Sequence, residues 1–120
     1  MNDIAKAFYD FWSSFGIPAY VEGYIPENAE LPYLTYSLAD TDWRFQTATY
    51  AQLWYRDTSL QSITAKAQEI REAIGEGIML DCANGFICIY KQATFVQMFS
   101  DEEDEQIKRA YISITVDINK

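Results

Sequence analysis

The 120-residue sequence predicts an α+β fold, a mostly antiparallel twisted sheet of four to six strands with two main helices packed on one face. Three observations carry this expectation. Apolar residues recur at helical spacing near the N-terminus and again after Thr58. They alternate at strand spacing over most of the remaining chain. After Gly77 the strand-like segments follow one another with no helical stretch between them.

The first element spans about Asn2 to Phe15, where Ile4, Phe8, Phe11, Trp12 and Phe15 form one helical face. Such a stripe packs on a core or meets a partner. Gly16 stops the helix and Pro18 prevents its continuation. From Ile17 to Leu31 the chain reads as irregular, with Tyr20, Val21, Tyr24 and Ile25 as anchors for a short extended piece. A strand follows at Tyr33–Leu38, with Leu34, Tyr36 and Leu38 on one face, then a polar stretch over Ala39–Arg44 that is a turn or a splayed loop.

The second long strand is expected from Phe45 to Arg56. Apolar members lie on both faces, Ala51, Leu53 and Tyr55 against Ala48, Tyr50 and Trp54, which marks a central strand. Thr58 and Gln61 fit a capping box at the start of the second helix. Its stripe is Leu60, Ile63, Ala67, Ile70 and Ile74, with Lys66, Glu69, Arg71 and Glu72 on the solvated side, and it ends at Gly75 and Gly77. Two short strands, Ile78–Cys82 and Phe86–Lys91, flank Asn84-Gly85, whose two-residue turn would set Cys82 opposite Ile87 and Asp81 opposite Cys88. The cysteines then point to opposite faces and stay reduced. Thr94–Phe99 is a further strand, followed by five acids, Asp101, Glu102, Glu103, Asp104 and Glu105, expected to be extended and exposed at a hairpin tip. The last strand, Gln106–Ile118, carries an almost wholly apolar face from Ala110 onward.

One domain, 1–120, accounts for this length, and it can bury a core without a disulfide or metal. The net charge of −9 argues against ordinary nucleic-acid binding and against an anionic membrane surface. No apolar run is long enough to span a membrane, and the acids near the N-terminus do not fit a signal peptide. With no histidine, the commonest general base and metal ligand is missing, and Ser-His or Cys-His nucleophile pairs are excluded. Gly75-Glu76-Gly77 lacks the rest of either nucleotide motif. Neither Asp40 with Asp42 nor the acids at 101–105 have the spacing of a calcium loop. No catalytic, cofactor or metal site is therefore expected, and no small-molecule substrate.

What remains is surface. Three Trp and nine Tyr exceed what a small core hides, and these residues favour interface centres. The interface candidates are Tyr20, Tyr24, Tyr50, Trp54 and the acids Asp101, Glu102, Glu103, Asp104 and Glu105. The acidic run is either a solubilising tip or a docking loop for a basic neighbour.

Four features in order resemble the tail completion and tail terminator proteins of long-tailed bacteriophages and prophages, sometimes described as minor capsid or head–tail joining proteins. They are the N-terminal helix, Pro32-Tyr33-Leu34-Thr35-Tyr36, Ala51-Gln52-Leu53-Trp54-Tyr55 running into a helix at Ser59, and the β-rich ending. The resemblance implies a ring, commonly a hexamer, that ends the tail tube and joins tail to head. Its partners would be further copies of itself, the tail tube and head-completion proteins, within a virion assembled in the bacterial cytoplasm. DNA would pass its lumen without specific binding. The alternative from another class is an acidic mimic of DNA that inhibits a basic nucleic-acid-binding protein.

Overall fold

The computed structural model describes residues 2–37, 46–82 and 85–119. Their order is α1 (Asn2–Ser13), β1 (Ala19–Val21), β2 (Tyr33–Tyr36), β3 (Gln46–Arg56), α2 (Gln61–Ile74), β4 (Ile78–Cys82), β5 (Gly85–Ser100) and β6 (Ile107–Asn119). The fold is α+β, and its six strands form one sheet in the order β1-β2-β3-β6-β5-β4. Every neighbouring pair is antiparallel except β1 with β2, which is parallel. Leu38, Phe45 and the expected turn or loop at 39–44 lie outside the described residues.

The register brings one side chain from each strand to each rung. Leu34, Leu53 and Ala110 share a rung, as do Tyr36, Ala51 and Ile112. These residues are all buried, together with Ile114, Val116 and Ile118 further along β6. The α1 stripe of Ile4, Phe8, Phe11 and Trp12 and the α2 stripe of Ile63, Ala67, Ile70 and Ile74 enter the same core. Phe15, just past α1, does so too, where Gly16 takes a φ of +83° and turns the chain. Helix α1 touches both β1 and β4, the two edges of the sheet, so the sheet curls around it as a half-barrel. β6 is thus the middle of the fold, and the apolar face of the last segment is its spine.

Several local expectations need correction. The capping box at Thr58 and Gln61 does not form, because the helix starts two residues later than that box requires. Instead Asp57 Oδ1 accepts the Ser59 N–H at 3.2 Å and Ser59 Oγ accepts the Gln61 N–H at 3.2 Å. Leu60 consequently lies outside the stripe and is 43% exposed. Lys66 leaves the solvated side. Its ammonium donates to the Phe15 carbonyl at 2.6 Å and pairs with Glu69, clipping α2 to the end of α1. Arg71 is likewise engaged, 5.0 Å from the centre of the Phe95 ring.

The hairpin slips by one pair relative to the Asn84-Gly85 turn. Cys82 stands opposite Gly85, Asp81 opposite Phe86 and Met79 opposite Cys88. This register sets Ile78 against Ile89 and Leu80 against Ile87 on the core side, with Phe86 and Cys88 outward. The two cysteines still point to opposite faces, and no disulfide joins them. The two strands expected at Phe86–Lys91 and Thr94–Phe99 are one strand, β5, broken by a large bulge between Lys91 and Val96. The bulge switches which residues face inward, from Ile87 and Ile89 to Val96 and Met98, and sends Phe95 into the core. Gln92 anchors it, accepting the Thr115 hydroxyl at 2.8 Å.

Candidate functional site

The opposite side of the sheet is built from the residues that alternate with the core set. On the rung beside Leu34, Leu53 and Ala110 lie Tyr33, Trp54, Arg109 and Phe99, one from each of β2, β3, β6 and β5. Arg109 sits between two rings, its guanidinium carbon 5.2 Å from the Trp54 centre and 5.7 Å from the Phe99 centre. Tyr33 continues the row beside Trp54, and Tyr20 from β1 meets Tyr33 edge to face at 5.7 Å. The Trp54 indole N–H donates to Thr35 Oγ1 at 2.9 Å, which satisfies both polar groups under the rings. The Arg109 Nε is buried there with no hydrogen-bond partner, the one such side-chain atom among the described residues.

A second stack stands next to this row. Tyr50 and Tyr111 lie with centroids 4.9 Å apart and planes 23° from parallel. The Tyr50 hydroxyl donates to Glu22, just beyond β1, and this bond holds its pKa up at about 12. Tyr50 and Tyr111 stack on one another and the Arg109 guanidinium lies over Trp54 and Phe99, so one flat face of each of these rings is occupied. What the surface offers is ring edges, hydroxyls and amide groups of Gln52 and Gln97. Phe99, 43% exposed, carries the face outward to its rim. Such an arrangement suits a protein surface better than a platform for stacking bases or sugars.

The face is also close to electrical balance. By register and alternation its charged members among the described residues are Arg56 and Arg109 against Glu22, Asp81 and Asp117, two cations against three acids, whereas the whole chain carries −9. The excess acid is elsewhere, on the outer sides of the helices, the loop after β1 and the β5–β6 tip.

The nine candidate residues do not form one site. Tyr20, Tyr50 and Trp54 come together on this open face. Tyr24 lies apart, 80% exposed on the loop after β1, where Gly23 turns the chain with a φ of +88°. Asp101, Glu102, Glu103, Asp104 and Glu105 sit at the β5–β6 tip, folded into turns instead of extended. Asp101 and Asp104 accept the backbone N–H groups of Glu103 and Gln106 at 2.9 and 3.0 Å. Asp104 also pairs with Arg56 at 2.8 Å, a hydrogen bond that holds its carboxyl below the usual range. Lys108 caps the tip by donating to the Glu105 carbonyl. Local bonds outweigh the repulsion between neighbouring carboxylates.

Arg109, Tyr33, Tyr111 and Phe99 belong to the face but were not among the candidates. The period-two pattern of the last strand already set Arg109 and Tyr111 opposite the apolar residues, yet only strand pairing brings them beside Trp54 and Tyr50. Among the described residues, no three metal-ligating side chains converge, and no helix is long and apolar enough to cross a membrane. Compared with family models, curated proteins and solved structures, this chain matches none of them.

Proposed function

We propose that this chain is a non-enzymatic structural subunit of a phage or prophage virion, assembled as a ring that ends the tail tube and joins tail to head. The observation that carries this reading is the open sheet face, aromatic and nearly balanced in charge on an otherwise acidic chain. With both helices on the core side, the other side of the sheet is left for neighbouring subunits. Aromatic residues with a central arginine are the residue types in which binding energy concentrates. The acidic remainder suits a channel that duplex DNA must traverse without adhering.

The order of elements supports the same reading, from α1 through β2 and β3 into α2 and then the β-rich end. In such a ring, the turns of the Asp101–Glu105 tip hold a compact negative projection toward a basic neighbour. Deletion of the gene from its phage or prophage tests the proposal by electron microscopy of the lysate. The expected result is tails of uncontrolled length that are not joined to heads, restored when the chain is supplied in trans. Normal virions from the deletion overturn it. A monomer that binds a basic nuclease tightly would point instead to the DNA-mimic alternative.

A further inference from the structure

We infer that the open face of one copy receives the loop after β1 of a second copy, Gly23–Glu30, in a head-to-tail contact. The inference names the subunit contact for the proposed ring and rests on that reading only in expecting self-assembly.

The loop has the form of a knob. Tyr24 is almost wholly exposed, Ile25 is exposed beside it, and Pro26 follows. It is nevertheless built, with the Tyr24 N–H bonded to the Val21 carbonyl at 2.9 Å and the Ala29 N–H to the Pro26 carbonyl at 3.0 Å. An ordered apolar knob loses less freedom on binding than a disordered one. Its base is held beside the face of its own chain by the Tyr50–Glu22 bond, yet Tyr24 does not fold back over that face.

Charge decides the occupant and the symmetry. A chain carrying −9 is repelled by another copy over most of its surface. The face, nearly balanced in charge and with Arg109 at its centre, is where a second copy approaches with the least of that penalty. A two-fold contact of face on face, centred on this rung, would set Arg109 against Arg109. A copy presenting the loop brings Tyr24 and Ile25 to the ring edges and Glu27 and Glu30 to the guanidinium. Size agrees. The eleven paired residues of β3 and β6 give a face roughly 35 Å long, and the four residues of β2 with β5 widen it to roughly 20 Å around the Trp54–Arg109 rung. That is the scale of one side of a stable interface, about 800 Å². A contact between two different surfaces of one chain propagates, and it closes into a ring when the rotation permits.

The test is complementation in sedimentation velocity of the full chain, with folding of each variant checked by circular dichroism. One variant loses the knob, Tyr24→Ser with Ile25→Ser. The other spoils the face, Gln97→Glu with Arg109→Leu. The wild type is expected to grow beyond a dimer as concentration rises. Each variant alone is expected to associate at least roughly tenfold more weakly. An equimolar mixture should regain association and stop at a heterodimer, because it holds one intact knob and one intact face. A misfolded variant could not be rescued in this way, so the Tyr24→Ser single variant, which removes no bond within the chain, stands behind it as a second measure. Association of both variants at wild-type strength, a monomeric mixture of folded variants, or a wild type that stays monomeric overturns the inference. The tail-length assay is independent of all these outcomes, so assembly through another surface would leave the proposed function standing.

Discussion

Gly77 shows how narrowly a single position is set. It takes a φ of +139°, and a Cβ added there would lie 2.6 Å from the Tyr90 ring. Gly77→Ala is therefore expected to cost about 1–3 kcal/mol from backbone strain and the ring's displacement. Urea denaturation measures it, and adding Tyr90→Ala should return the steric part of the loss but not the backbone part. Tyr50 supplies a test of a different kind. Its hydroxyl needs its proton to bond Glu22, and its pKa is raised from 10.0 to about 12. The unfolded chain thus releases this proton more readily than the folded one, and the bond's contribution is complete below pH 10. It falls away as pH rises from about 10 through about 12. Tyr50→Phe should remove that part of the alkaline loss of stability, leaving a flatter curve over this window. An unchanged slope in thermal melts at pH 9 and pH 11 would show that the phenol makes no such bond.

Among the elements, α2 distinguishes the cap that the sequence suggests from the one that the backbone uses. Ser59→Ala should cost about 1 kcal/mol, since its hydroxyl oxygen receives the Gln61 N–H. Thr58→Ala should fall within about 0.5 kcal/mol of the wild type, as an exposed residue outside the helix does. Equal losses in denaturant would return the capping box to Thr58. Lys66 links two elements that propensity alone would keep apart. Lys66→Met keeps the stem but loses the bond to the Phe15 carbonyl, at an expected cost of about 1–2 kcal/mol. Amide exchange should then rise first at the C-terminal end of α1. The strand β5 has its own lesson. Its bulge reverses the inward set between Lys91 and Val96, so a strict period of two breaks there and the segment reads as two strands.

For the whole molecule, the open face sets stability against association. Arg109 gains about 0.5–1 kcal/mol from each ring that flanks it but buries an Nε with no acceptor, a cost of about 1–3 kcal/mol. Arg109→Leu should thus leave the midpoint of unfolding within about 1 kcal/mol of the wild type, or raise it. The same change should weaken self-association, read by light scattering. A large loss of stability with unchanged association would make Arg109 a residue of the fold and not of a contact. The core behaves in the opposite way. Trp12→Ala, at the point where α1 meets Tyr36 under the curled sheet, should cost about 3–5 kcal/mol.

Much of this molecule is settled by local pattern. The stripes of α1 and α2, the alternation of β3 and the apolar face of β6 can all be read along the chain, because a helix or strand repeats its burial at a fixed period. That pattern also separates Arg109 and Tyr111 from the core side, and the missing histidine restricts the chemistry. Pairing is a different matter. Trp54 meets Arg109 only because β3 and β6 align antiparallel at the centre of the sheet, and Phe99 joins them only after the β5 bulge reverses its faces. The Asn84-Gly85 register likewise yields to the match of Ile78 with Ile89 and Leu80 with Ile87. Packing of these apolar pairs outweighs the local preference for Asn84-Gly85 as the turn. The sequence by itself therefore determined which residues turn inward and which outward along α1, β3 and β6. Only the tertiary structure decided that the outward ones from four strands gather around one arginine, because that depends on contacts between segments far apart in the chain.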